Sequence, residues 1–160
     1  MEKVSVPKQD LRKLLDNRGS FLKVYDSKEL FKLENISEIF ITKSKKFTLR
    51  GMHYQKKPYQ INRIVTCLSG EVLDVVVNIN PKSKNFKKTY AVTLYENQSV
   101  FVSKDYAHGF YALSDCELLY LTDNIYSKDY EDGFLWESIS FVWPNNNPIL
   151  SDRDKSFVSL

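Results

Sequence analysis

Two histidines are the side chains of this 160-residue chain best suited to moving a proton near neutral pH, and each lies next to a glycine in a strand-like run. The first is in Phe47-Thr48-Leu49-Arg50-Gly51-Met52-His53-Tyr54-Gln55, the second in Asp105-Tyr106-Ala107-His108-Gly109-Phe110. In a regular strand Arg50 and His53 point to opposite faces, because they are three positions apart, an odd offset. A glycine inside a strand marks a bulge or a close backbone approach. A bulge at Gly51 would turn both side chains onto one face and set a fixed cation beside a titratable base. The competing reading is an edge strand with a solvated arginine and a half-buried structural histidine. His108 reads equally well as a turn residue. Neither histidine has a partner at HxH or HxxxH spacing, so three-histidine and two-histidine-one-carboxylate metal sites are disfavoured. No GxSxG elbow, P-loop or GxGxxG motif is present.

Two further segments carry groups of chemical interest. Leu150-Ser151-Asp152-Arg153-Asp154 reads as a capping segment ahead of a short final helix. Tyr120, in Leu118-Leu119-Tyr120-Leu121-Thr122, reads as an ordinary strand aromatic.

The elements that must position these groups are mostly strands. From about residue 36 onward the chain alternates short β-branched and aromatic runs with polar turns. Candidate strands are 37–42, 62–67, 71–79, 90–95, 99–102, 108–113 and 117–123. The turn Leu68-Ser69-Gly70 between the second and third of these is a hairpin signal. In the third, Leu73, Val75, Val77 and Ile79 share a dry face, while Val72, Asp74, Val76 and Asn78 share a mixed one. Ser27-Lys28-Glu29-Leu30-Phe31-Lys32-Leu33 reads as a helix capped by Asp26 or Ser27. A second short helix is expected after Lys8, over Leu11 and Leu14-Leu15. The fold class expected is all-β, a jelly-roll or cupin-type barrel with a few short helices, filling residues 1–160 as one domain. Its mouth is the natural place for a small molecule.

Composition limits the partners. Apolar residues make up 42% and aromatics 14%, which is globular. A formal net charge of +3 is too small to imply nucleic acid. The lysine clusters at 43–46 and 82–88 read as solvated loops, and a small anionic ligand fits the charge. Cys67 and Cys116 lack zinc spacing and sit in apolar runs, as buried thiols in a reducing compartment do. No apolar run approaches a membrane span, and the first ten residues lack a signal-peptide core, so a cytoplasmic protein is expected.

Taken in order, several short segments resemble the dTDP-4-dehydrorhamnose 3,5-epimerase family, jelly-roll enzymes acting on nucleotide 4-keto-6-deoxy sugars. They are Asp16-Asn17-Arg18-Gly19-Ser20-Phe21, Leu49 to Gln55, Gly70 to Val75, Tyr106 to Phe110, Glu117 to Tyr120, Trp143-Pro144 and Leu150 to Asp154. Each is weak alone, and the ordered set over residues 16–154 is specific. The resemblance implies that His53 is the general base, Asp154 its carboxylate partner and Tyr120 the acid on the opposite face of the sugar. It implies substrate contacts for Arg18, Phe21, Arg50, Gln55, His108 and Tyr126. It also implies a homodimer whose sites include residues of the neighbouring subunit, a nucleotide-linked 4-keto sugar as ligand, and no metal or redox cofactor.

The chemistry suits these residue types. Hydrogens at C3 and C5 flank the C4 ketone, so losing either leaves an enolate. Neutral imidazole is a competent base near pH 7. A carboxylate fixes its tautomer and stabilises the imidazolium that forms. Inversion needs a second donor on the other face, and the enolate oxygen needs a cation or hydrogen-bond donor.

The sequence departs from the family pattern at three places. Arg63, in Gln60-Ile61-Asn62-Arg63-Ile64, stands where a lysine for the enolate is usual; it keeps the charge but cannot carry a proton. Lys23 replaces an acidic residue, and the usual Gln-x-Asn falls near Phe40 and Thr42. These leave open a GDP- or CDP-linked hexose or heptose, action at one carbon only, a non-catalytic sugar-nucleotide module, and a ketone-shifting cupin isomerase. The last needs more histidines than the two present.

Overall fold

The computed structural model describes residues 6–160. Two five-stranded antiparallel sheets face each other. The first comprises β1 (Lys8–Asp10), β4 (Glu38–Ser44), β6 (Arg63–Ser69), β9 (Gln98–Val102) and β11 (Cys116–Thr122), in the order β1-β9-β6-β11-β4. The second comprises β5 (Leu49–Gln55), β7 (Glu71–Asn78), β8 (Thr89–Tyr95), β10 (Tyr106–Ala112) and β12 (Glu131–Gly133), in the order β12-β5-β10-β7-β8. A separate hairpin, β2 (Lys13–Asp16) and β3 (Gly19–Leu22), projects from the start of the chain. The only α-helix among the described residues is α1 (Asp152–Ser156). This is the expected all-β jelly roll.

Every expected strand forms, but one connection differs. The turn at Leu68-Ser69-Gly70 does not make a hairpin: β6 pairs with β9 and β11, whereas β7 pairs with β8 and β10. The turn hands the chain from one sheet to the other. Gly70 has φ +83°, and a Cβ there would run into the carbonyl of Asp115.

Both expected N-terminal helices are absent. Asp26 does cap a turn, accepting from Lys28 N at 3.0 Å, but the chain continues extended. Phe31 and Leu33 are buried against Ile64, Leu119 and Leu121 of the first sheet, while Leu30 stays exposed. A seven-residue helix is too short to stand without packing, and the sheet takes these side chains at alternate spacing instead. Leu14 and Leu15 lie on the β2–β3 hairpin, whose turn is closed by Arg18 N donating to Asp16 Oδ1 at 2.8 Å and by Gly19 at φ +128°.

The interior between the sheets is built from Val65, Cys67, Val72, Val76, Leu94, Val100, Phe110 and Leu118. Each fully buried valine or leucine here contributes about 1.5–3 kcal/mol. The other face of β7 is also dry, because residues 134–160 return across it. Phe134, Ile139, Phe141 and Trp143 cover Leu73, Val75 and Val77, so a strand buried on both faces reads as a near-continuous apolar run. That returning segment carries α1 and brings the carboxylate of Asp154 beside β5.

Candidate active site

The geometry starts from two glycines. In β5 and β10 the Cα partners are His53 with His108 and Arg50 with Phe110, so β5 carries one residue more over this stretch. The extra residue sits at Gly51, φ +125°, where an added Cβ would stand 2.5 Å from Gly109 Cα and 2.8 Å from His108 O. Gly109 is equally confined, by Met52 Sδ at 2.7 Å and Arg50 O at 2.8 Å. Only two glycines allow the backbones to cross this closely. The bulge turns Arg50 and His53 onto one face, as the glycine in the sequence suggested, and both line a cleft of about 460 Å³ between the sheets.

His53 Nε2 lies 2.5 Å from Asp154 Oδ1. Ser151 caps α1, accepting from Asp154 N at 3.1 Å, and this fixes the buried carboxylate behind the half-buried ring. Phe157 meets His53 edge-on at 5.5 Å.

A second pair lies deeper. His108 Nε2 is 2.7 Å from Asp74 Oδ2, and both residues are buried. Asp74 Oδ1 has no hydrogen-bond partner among the described residues. Its signal in the sequence was one carboxylate set in the valine-rich run Glu71 to Ile79, which patterning alone assigned to a mixed face.

Tyr120 stands on the opposite wall, in the first sheet. Burial pushes its hydroxyl well above the ordinary tyrosine value and the Asp74 carboxylate adds to this; Arg63, Thr42 and Arg50 act in the other direction. Arg63 occupies the same wall. Burial lowers its pKa, opposed by Tyr120 and the carboxylates Asp74, Glu131 and Asp123, and its Nε has no hydrogen-bond partner among the described residues.

The rim is charged. Arg50 is held by Nε donating to Ser44 Oγ at 3.0 Å and Nη2 donating to Lys43 O at 3.2 Å. Arg153 pairs with Glu131 at 2.5 Å, and Tyr126, whose own NH donates to Glu38, lies beside them. Phe40 and Thr42, where the sequence departs from the family pattern, also line the cleft, whereas Arg153, Glu131 and Glu38 were not singled out as site residues by sequence reasoning. Nothing in residue type or spacing distinguishes these three from solvated rim residues.

The cleft thus unites His53, Asp154, Tyr120, Arg63, Arg50, His108, Gln55 and Tyr126. Gln55 is a latch: its amide donates to Tyr59 O at 2.6 Å and Ile125 O at 3.1 Å, and accepts from Ser127 N at 2.7 Å. Arg18 and Phe21 are not in the cleft. Arg18 pairs with its neighbour Asp16 at 2.6 Å, and Phe21 lines a separate depression with Leu14, Lys23 and Tyr25.

A jelly roll here sets a histidine of one sheet, paired with an aspartate on α1, across a single cleft from a tyrosine of the other sheet. Residues 6–160 match the model of the family described as dTDP-4-dehydrorhamnose 3,5-epimerase. The chain belongs to that family. It is 41% identical over 148 residues to the dTDP-4-dehydrorhamnose 3,5-epimerase of Shigella flexneri, covering 87% of this chain and 82% of the relative. The enzyme of the same name from Escherichia coli K12 is 34% identical over 155 residues, covering 91% and 84%. Among solved structures, the Bacillus anthracis dTDP-4-dehydrorhamnose 3,5-epimerase with TDP and pyrophosphate bound superposes with a TM-score of 0.88 at 29% identity, covering 96% of this chain and 93% of that one. The Legionella pneumophila 3,5-epimerase, solved in complex with dTDP-4-keto-L-rhamnose, superposes with a TM-score of 0.87 at 26% identity, covering 95% and 86%. Among the described residues no helix is long and apolar enough to cross a membrane.

Proposed function

We propose that this protein is an epimerase that inverts C3, C5 or both in a nucleotide-linked 4-keto-6-deoxy sugar, with dTDP as the nucleotide its relatives favour. The observation that carries this reading is the placement of His53 and Tyr120 on opposing sheets of one cleft. His53, oriented by Asp154, takes the proton beside the ketone, and the C–H electron pair moves into an enolate. Arg63 stabilises the enolate oxygen, since its buried guanidinium retains an unused donor. Tyr120 then delivers a proton to the opposite face of the same carbon. The imidazolium and tyrosinate return to their starting states by exchange with solvent. No electron is gained or lost, so the route needs no redox partner. Arg50 and Arg153, at the rim, face the diphosphate.

The working unit is a homodimer. Leu15 and Phe21 on the β2–β3 hairpin are 76% and 58% exposed, and Ile39 and Ile41 on edge strand β4 are 62% and 52% exposed. A second copy covering these surfaces would carry its own Arg18 and Phe21 toward the cleft. The two buried free thiols suit a reducing cytoplasm.

The test is incubation in deuterated water with dTDP-, GDP- and CDP-linked 4-keto-6-deoxy sugars, followed by proton NMR at C3 and C5. Loss of signal at both carbons with inversion is the expected result for dTDP. Loss at one carbon defines a narrower epimerase. Binding of all three without exchange overturns the enzymatic reading. Light scattering checks the dimer, and a monomer at micromolar concentration would exclude it.

A further inference from the structure

Phe40 and Tyr120 are Cα partners across β4 and β11, and their rings stack with centroids 4.8 Å apart and planes 8° from parallel. Such stacking is more intimate than most aromatic pairs, whose centroids lie between about 4.5 and 7 Å. Tyr120 is otherwise bounded by His108, edge-on at 6.5 Å and 67°.

The topology makes this contact matter. β4 is the edge of its sheet, and no strand lies beyond it. Tyr120 is therefore flanked on its other side by β6, where Val65 is its partner, and on this side by β4, where Phe40 lies against its ring face and Thr42 beside its hydroxyl. A tyrosine has two rotatable side-chain angles. Strand crowding restricts the first. The second, which swings the ring plane, has a broad, two-fold profile and is set by what lies against the face. Remove the Phe40 ring and that face opens onto the cleft mouth, where Phe40 itself is 42% exposed.

We infer that Phe40 is a positioning residue: its ring fixes the plane of Tyr120, and so the direction of the in-plane O–H bond that faces across the cleft toward the side opposite His53. This rests on the reading of Tyr120 as the opposite-face donor. Phe40 takes no part in bond making. A donor needs its oxygen within about 3 Å of the carbon it protonates and aligned with it. Rotation about the second angle leaves the phenol oxygen on its axis, but the O–H bond lies in the ring plane, so a ring free to turn aims its proton at the carbon for only a fraction of the time. The base on the other sheet is unaffected by such a rotation, so abstraction and re-protonation become unequal.

The experiment compares wild type, Phe40→Leu, Phe40→Tyr and Tyr120→Phe in deuterated water. The readout is the initial ratio of inverted product to substrate deuterated with retained configuration. Phe40→Leu should lower the ratio at least tenfold, as Tyr120→Phe does, and Phe40→Tyr, which keeps the ring, should restore it to within about threefold of wild type. A general loss of folding would lower both rates together and leave the ratio unmoved. An unchanged ratio in Phe40→Leu, with a lowered one in Tyr120→Phe, overturns the inference while leaving the epimerase reading intact. Absence of exchange in the wild type overturns both. Proton NMR of the Tyr120 ring gives a second measurement without substrate: its resonances should move downfield in Phe40→Leu as the ring current is lost, and unmoved resonances also count against the contact.

Discussion

Asp154 Oδ1 sits 2.5 Å from His53 Nε2 although 101 residues separate them in sequence. The carboxylate is 3% exposed and is carried by a five-residue helix whose cap, Ser151, is the residue that fixes it. A buried carboxylate with one imidazole partner is suited to stabilising the cation that forms when the ring takes a proton. Asp154→Asn keeps size and shape but removes the charge and favours the wrong tautomer. Deuterium exchange should fall by roughly 10²–10⁴. His53→Ala should abolish it. Both are read as initial exchange rates at C3 and C5, and an Asp154→Asn enzyme within threefold of wild type would remove the carboxylate from the mechanism.

Gly51 and Gly109 set the crossing that aims both histidines. Gly51→Ala meets a backbone at 2.5 Å and takes a φ of +125° that alanine disfavours. It should cost about 2–4 kcal/mol, because neither strand can yield without moving a histidine. Gly19→Ala is the control: its φ is +128°, yet nothing lies within 4 Å of the added Cβ. It should cost about 1–2 kcal/mol from backbone strain alone. Urea unfolding of both variants separates collision from strain, and equal losses would show that the close approach is not what matters.

Particular residues show how far sequence reading reached. Alternation in Glu71 to Ile79 announced a strand, and Gly51 announced a bulge, because both are local signals. Sheet membership is not local. Leu68-Ser69-Gly70 looks the same whether a turn closes a hairpin or passes between sheets, and here it passes between sheets. Asp26 capped a turn instead of a helix because Phe31 and Leu33 found the sheet first. Asp154 had no spacing relation to His53, so only the ordered resemblance to a family pointed to the pair. Arg18 and Phe21 lie on a hairpin away from the cleft, a long-range placement that residue type and spacing do not encode.

Tyr120 should remain a neutral donor over the working range. Burial is the main cause of its raised pKa, with Asp74 adding to it. An ordinary tyrosine near pKa 10 would be half ionised at pH 10. A hydroxyl held above that value is still protonated there. The ratio of inversion to retained-configuration exchange should therefore stay flat between pH 7 and 10. A halving of the ratio by pH 10 would place the donor at an ordinary value and contradict the buried environment.

In the proposed reaction Arg63 takes the enolate position with a planar fork in place of an ammonium. Arg63→Met should lower exchange at both carbons by roughly 10²–10³, the usual loss for one oxyanion donor. Arg63→Lys restores the charge as a point donor and should recover part of it. The measurement is again the initial exchange rate. Equal rates in Arg63→Met and wild type would assign the enolate to His108 or to solvent.

Cys67 connects the core to alkaline stability. Burial pushes its thiol up to about 12, with the nearby Cys116 adding to the shift. In the unfolded chain the thiol ionises near pH 8.5. A folded-state pKa above the unfolded one means that the folded state holds the proton more tightly. Its contribution is complete below about pH 8.5 and is lost as pH rises toward 12. One such thiol should cost roughly 2 kcal/mol by pH 10. Cys67→Ala should start lower at pH 7, because it opens a small cavity, and then decline less steeply between pH 8 and 10. Urea midpoints across that range test the slope. Alkylation gives an independent check: the thiolate is the reactive form, so the native protein should resist iodoacetamide at pH 8 and react on unfolding. Rapid modification of Cys67 in the folded state would show that the thiol is neither buried nor held neutral.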